Sequence, residues 1–347
     1  MRSRLGYLHM PKAAGTSIRA AFASYFDQAD TVPYSFDRHL FGDDPRIDEV
    51  REPLFLGDPA ELRGYRYMEG HWALPTMAAA FDLADIVCVL REPRARFLSH
   101  YTFWRGWPDS MHELWEPYDA ARFAQLALSD YCREPKIAHQ ADNLVTRLIL
   151  GPHPLAPNDA HIDTGDIDAL ALEACRRLDE LGYVDVLERG DDVYRDLETW
   201  FASPLNRQRL NETDLGFGPP VDLADFTDPK TLALVGDRNA ADLQIWLHVA
   251  ERRGLGARRA RSIADSAFGA AIGKVVIAHA QPVPRDPSAR HPLDRAPFDA
   301  INEAPPEDAQ PSTPGRLVRL VRRGPRAIRD RMLAEVAHRR TPPRGGA

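Results

Sequence analysis

The chain has almost no lysine. Of its 44 basic residues only four are lysine, Lys12, Lys136, Lys230 and Lys274, and the other 40 are arginine. A GC-rich genome accounts for much of that bias. Each remaining lysine still merits inspection, because a compact ammonium and a planar guanidinium are not interchangeable where a point charge is needed. Cysteine is scarce too. Cys88, Cys132 and Cys175 are odd in number and far apart, which excludes a disulfide framework and a metal-binding spacing and fits a reducing compartment. No run approaches the ~18 apolar residues that a membrane span requires, so an integral membrane protein is excluded. Met1-Arg2-Ser3-Arg4 leads into only a short apolar stretch before Pro11. That is not a signal peptide, and the expected location is the cytoplasm. A basic footprint is also missing from most of the chain. The net charge is −7, and residues 281–347, with 13 arginines and 8 acidic residues, leave the rest at −12. An acidic body argues against nucleic acid as a partner.

What is present is ordinary in bulk. The 347 residues, 44% apolar and 27% charged, suit one large domain or two small ones. Leu5 to Met10 reads as a short buried strand, and Ile18, Phe22 and Tyr25 then recur with helical spacing. Residues 28–63 read as a long connection with little regular structure. Tyr65–Gly70 reads as a second strand, Asp85–Leu90 as the best strand in the chain, and Tyr183–Leu187 as a late one. Pro93 suits the first turn of a helix reaching Arg105. Helical patterns follow at 118–130, 137–150, 167–181, 191–202 and 229–253. Strands alternating with helices predict an α/β domain with a mainly parallel central sheet flanked by helices. The expected partition is a domain over 1–260, a transition helix or linker over 261–280, a disordered proline-rich linker over 281–314 and a basic, partly amphipathic tail over 315–347. Twelve of the 29 prolines lie in the last 67 residues, a composition that buries too little apolar surface to offset ordering. The tail's Leu, Val and Ile among arginines suit either a solvated extension, the preferred reading, or peripheral contact with an anionic membrane, which would put the protein at the inner membrane face.

Two motifs carry chemistry. The first is His9-Met10-Pro11-Lys12-Ala13-Ala14-Gly15-Thr16-Ser17. A strand, a small-residue turn and a helix together cradle tetrahedral anions, because turn amides point inward and the helix amino end adds positive potential. Ala13, Ala14 and Gly15 let an anion approach the backbone. Thr16 and Ser17 offer hydroxyls, and Lys12 offers charge. The plainer alternative is a helix cap by Thr16 or Ser17. Lysine precedes the glycine here, so the loop is not of the Walker type, and Gly269-Ala-Ala-Ile-Gly273-Lys274 is one residue short of that pattern. The second motif is Val87-Cys88-Val89-Leu90-Arg91-Glu92-Pro93, followed by Ser99 on the next helix. Arginine at the end of the best strand stands where α/β sheets bind ligands, and its fork suits a phosphate.

Pro-Lys-x-x-Gly-Thr-Ser after an amino-terminal strand resembles the 5′-phosphosulfate loop of sulfotransferases. The Arg91–Ser99 segment resembles their 3′-phosphate motif. The chain over roughly residues 4–255 is thereby similar to the carbohydrate sulfotransferases that use 3′-phosphoadenylyl sulfate (PAPS), in particular the heparan and chondroitin 2-O group. Alanine at position 14, where the family often has Gly or Ser, is a mild departure. The resemblance implies a P-loop-NTPase-like three-layer fold, PAPS as donor, no metal, and a carbohydrate or glycolipid acceptor. It implies that Lys12, Ala13, Ala14, Gly15, Thr16, Ser17, Arg91 and Ser99 hold the donor, with Lys12 at the oxygen that leaves sulfur.

The acceptor hydroxyl needs a base. His71 follows Gly70 at the end of the second strand and resembles the family's Gly-His segment, and Glu69 on the same strand face is the alternative. His9 and His100 rank below them. Trp72 and Trp104, with Trp107 and Trp115 nearby, could stack on a sugar, although core packing is preferred for most of them. Arg105, Asn143 and Arg147 are weaker acceptor candidates, the last two at a helical i, i+4 spacing. Two rivals stand beside sulfotransfer: a P-loop kinase-like phosphotransferase, and a nucleotide-binding module without turnover.

Overall fold

The computed structural model describes residues 1–13, 15–43, 47, 54–106, 122–206 and 221–280. Ala14, the 281–314 and 315–347 segments, Trp107 and Trp115 lie outside them, as does the side chain of Thr16. The strands are β1 (Leu5–Leu8), β2 (Phe36–Asp37), β3 (Leu54–Phe55), β4 (Tyr67–Gly70), β5 (Ile86–Leu90) and β6 (Tyr183–Val186). The helices are α1 (Gly15–Ala23), α2 (Leu74–Ala80), α3 (Pro93–Arg105), α4 (Leu128–Tyr131), α5 (Ala138–Ala141), α6 (Leu144–Leu150), α7 (Ile167–Asp179), α8 (Asp191–Phe201), α9 (Pro229–Asp237), α10 (Ala240–Arg252) and α11 (Ala257–Ala280).

The main sheet has the order β4-β1-β5-β6, with every pair parallel. Both faces of a parallel sheet are covered by its crossovers, so its strands are apolar throughout. In β5, Ile86, Cys88 and Leu90 enter one cluster while Val87 and Val89 enter another. The smaller cluster takes Ile18 and Phe22 from α1 and Val193, Leu197 and Phe201 from α8. The larger takes α2, α3, α6, α7 and α10. The protein is therefore α/β, with a mainly parallel four-stranded sheet flanked by helices on both faces.

Two expectations are corrected. The 229–253 pattern is two helices, broken at Arg238 and Asn239, because the Arg238 carbonyl accepts from the Asn143 amide (2.7 Å) instead of extending the helix. The 137–150 pattern is likewise broken, at Asp142 and Asn143, where Asn143 is left-handed (φ 48°). Residues 261–280, read as a transition helix or linker, are helical. They continue α11, which packs along α3, with Arg94 of α3 paired to Asp265 (3.0 Å) and lying over the Phe268 ring (4.7 Å). Ala260, Ala264 and Val275 are buried in the main core, and the compact unit runs from Met1 to Pro282. The 28–63 connection holds short 3-10 turns and the β2–β3 pair. Of the 118–130 pattern, 118–121 lie outside the described residues, and the helix that follows is Leu128–Tyr131.

Candidate functional site

The carboxyl ends of β1, β4 and β5 bring the main candidates to one edge of the sheet. Leu8 pairs with Gly70 on one side and with Cys88 on the other. The chain leaving β1 toward Lys12 therefore lies between the ends that deliver His71 and Arg91.

Lys12 sits in a turn closed by the Ala13 amide on the Met10 carbonyl (3.2 Å), with Pro11 second and Lys12 third. Its φ is +64°. Proline followed by a positive φ is the pattern of a type II turn, whose third position favours glycine. A lysine there costs about 1–2 kcal/mol relative to an unstrained backbone. Arg91 donates to the Lys12 carbonyl (3.0 Å), and the Lys12 ammonium lies 3.9 Å from the Phe103 ring centroid. Burial, Arg91 and Lys274 pull the lysine down to about 7. Arg91 and Lys274, both positive, add to the effect of burial. Lys274, set aside in the sequence as a failed phosphate-loop motif, comes from α11, and no short-range pattern links it to Lys12. Behind Arg91, Glu188 accepts from the Glu92 amide (2.7 Å) and from Trp246 Nε1 (3.0 Å), and both glutamates temper the Arg91 charge. Ala13 and Ser17 are buried at the turn and the start of α1, and Ser99 is half-buried on α3.

His71 is placed by glycine. Gly70 has φ +139°, and a Cβ there would lie 2.2 Å from the Ser35 carbonyl oxygen. That close approach lets the His71 amide donate to Ser35 (2.8 Å). His71 Nδ1 lies 2.8 Å from the His9 carbonyl oxygen. A carbonyl only accepts, so Nδ1 carries the proton and Nε2 holds the lone pair. Burial draws His71 down to about 4, despite the opposing His9 hydrogen bond, and draws His9 and His100 well below the usual range. All three are neutral at pH 7. Glu69 shares a strand face with His71 but is buried and paired to Arg19 (3.6 Å). His100 Nε2 accepts from Trp104 Nε1 (3.0 Å). Glu69 and His100 are thus engaged, whereas among the described residues neither His71 Nε2 nor the His9 ring makes a hydrogen bond.

The proposed acceptor residues are elsewhere engaged. Trp72 is fully buried, donating to the Glu69 carbonyl (3.1 Å), and Trp104 is buried against His100. Both are core residues. Arg105 holds the Ala124 and Leu126 carbonyls (2.9 Å each), clasping the end of α3 to the next segment. Asn143 accepts from the Ala241 and Asp242 amides (2.8 and 3.3 Å), capping α10. Arg147 donates to Asp142 and to the Ala156, Pro157 and Ala160 carbonyls. Both side chains are engaged in joining the framework. Among the described residues no group of three His, Cys, Asp or Glu could hold a metal ion, and no helix is long and apolar enough to cross a membrane.

No known protein-family model, curated protein or solved structure matches the chain.

Proposed function

We propose that the protein is a P-loop-like sulfotransferase that moves a sulfuryl group from PAPS to a hydroxyl of a carbohydrate or glycan-like acceptor. The observation that carries this reading is Lys12. A strained turn holds an ammonium among other cations, an arrangement that becomes favourable once a polyanion lies between them. Arg91 at the next strand end supplies the fork for a second phosphate, and His71 Nε2 is an open neutral base at the same edge.

In the reaction the acceptor hydroxyl gives its proton to His71 Nε2 as its oxygen attacks sulfur in line. The bond between sulfur and the bridging phosphate oxygen breaks. Adenosine 3′,5′-bisphosphate leaves, with its new negative charge beside the Lys12 ammonium. Positioning and charge stabilisation supply most of the rate, as in phosphoryl transfer. The test is thermal-shift binding of adenosine 3′,5′-bisphosphate against ATP and GTP, then transfer of labelled sulfate from PAPS to a glycan panel. Selective stabilisation by the bisphosphate with labelled product supports sulfotransfer. Binding without product indicates a nucleotide-binding module, and preference for ATP or GTP a kinase-like enzyme.

A further inference from the structure

We infer that His9 and Phe36 form a brace that fixes the ring plane and tautomer of His71, which makes His9 a positioning residue. The inference rests on His71 being the base in the reading above. β4 lies between β1 and the segment carrying Phe36: the His9 amide donates to Gly70 (3.1 Å), and Phe36 bridges His71 from the other side. Their side chains therefore flank the His71 imidazole from two neighbouring strands. Ring centroids are 4.3 Å apart for His9–His71 and 5.5 Å for Phe36–His71. His9 is itself stacked on Tyr7, at 5.5 Å and an interplanar angle of 8°. Phe36 is set against Phe41 at 6.0 Å. The imidazole thus occupies the middle of an aromatic row anchored in the core at both ends.

Orientation and tautomer are set by different parts of His9. Its carbonyl pins Nδ1–H, and its ring limits rotation about the pinned bond. Ring contact alone leaves the tautomer undecided, and the hydrogen bond alone leaves the ring free to turn. Together they point Nε2 in one direction, the requirement for a general base that must meet a hydroxyl at hydrogen-bond distance. Nothing in the brace needs the His9 imidazole to titrate.

That last point separates positioning from chemistry. His9→Phe keeps an aromatic ring and the carbonyl, whereas His9→Ala keeps only the carbonyl. Long-range proton–nitrogen NMR of labelled protein is expected to show His71 protonated at Nδ1 in the native chain, in His9→Phe and in His9→Ala, which all keep the carbonyl, with the His71 ring held in one orientation in the first two and mobile by relaxation in His9→Ala. On the glycan labelled fastest by the native protein, His9→Phe is expected within about threefold of native turnover, and His9→Ala at least about tenfold slower with unchanged bisphosphate affinity. Phe36→Leu tests the other side of the brace and is expected between them. A His71 protonated at Nε2 in the native protein overturns the inference. So does equal loss in His9→Phe and His9→Ala, which would make the His9 imidazole a reactant. Native-like ring order and rate in both His9→Ala and Phe36→Leu also overturn it. The NMR readout needs no turnover, so a native chain that transfers no sulfate refutes the functional reading while the brace is still judged.

Discussion

Two polar clusters in this protein use similar residues to opposite ends. The first joins α5, α6, α9 and α10. Asp142, 1% exposed, accepts from Arg147 (2.8 Å), Arg238 (3.2 Å), the Asn143 side chain (3.2 Å) and the Ile162 amide (2.9 Å). Asn143 caps α10 while Asp242 of α10 accepts from the Val145 and Thr146 amides (3.0 and 2.8 Å) of α6. Each helix thus caps the other. The second cluster, at the sheet edge, gathers Lys12, Arg91 and Lys274 with three neutral histidines. In the first, buried charges meet opposite charges and carbonyls. In the second, three cations gather, with Arg91 tempered by Glu92 and Glu188. A buried charge whose partners lie inside the fold serves the fold, and an accumulation of like charge at a strand edge points to a ligand from outside.

The strongest way to break that contrast is to remove the hub of the first cluster. Asp142→Ala leaves Arg147 and Arg238 without their shared carboxylate and is expected to cost about 3–5 kcal/mol, enough to unfold a marginal domain. Chemical denaturation checks it. A loss below about 1 kcal/mol would show that the network is not what joins these helices.

The same intervention at the second cluster has the opposite profile. Lys12→Arg keeps the charge but replaces a compact ammonium with a broad fork, and is expected to slow transfer roughly hundredfold while some bisphosphate binding remains. Lys12→Gly relieves the positive-φ strain. Its melting temperature is expected to hold or to rise by about 2 °C, while bisphosphate affinity falls. Near-native transfer in Lys12→Arg would remove Lys12 from the mechanism, and a large fall in stability of Lys12→Gly would make it a framework residue like Arg147.

The contrast also explains what the sequence could and could not disclose. β5 and α3 were legible because an apolar run followed by proline encodes both locally, and the Lys12 turn because proline, small residues and a helix start are contiguous. Asn143 and Arg147, weak acceptor candidates by sequence, are engaged inside the framework. The amides that Asn143 caps, Ala241 and Asp242, are 98 and 99 residues away, and the carbonyls that Arg147 holds lie 9 to 13 residues on in an irregular segment, so i, i+4 spacing carries no trace of either. The same distance effect split two apparently continuous helical patterns, since Asn143 terminates both. Lys274 was invisible as a site residue for the same reason: α11 reads as a generic alanine- and arginine-rich helix until α3 is laid against it.

Titration gives the next largest effect. Below their ordinary value of 6.5, histidines in the unfolded chain take up protons that His9, His71 and His100 refuse. The unfolded state then binds more protons, so stability is complete above pH 6.5 and declines as pH falls toward about 4. Binding follows a separate window set by Lys12, lowered from 10.5 to about 7. An anion restores the ammonium, so above pH 7 binding must draw a proton from solution. Bisphosphate affinity is expected to weaken by up to about tenfold per pH unit there. Calorimetry in buffers of different ionisation enthalpy would register the uptake, and pH-independent affinity between 7 and 9 would mean that the lysine is already charged.

The smallest effect sharpens the comparison most, because it concerns a residue that no local pattern nominates. Lys274 is exposed on α11, one residue before the buried Val275, and its charge reaches Lys12. A solvated charge at such range contributes little, so Lys274→Ala is expected to weaken bisphosphate binding only about threefold, and Lys274→Glu about tenfold, both fading as salt rises. Lys136 is equally exposed but lies beside Pro135 on the short turn that leads into α5. Lys136→Glu removes the same charge from the protein as a whole without touching the cluster, and is expected to bind as the native chain does. Equal weakening in Lys136→Glu and Lys274→Glu would reduce the effect to net charge and detach α11 from the site. Weakening confined to Lys274 would place two of the four lysines around one anion.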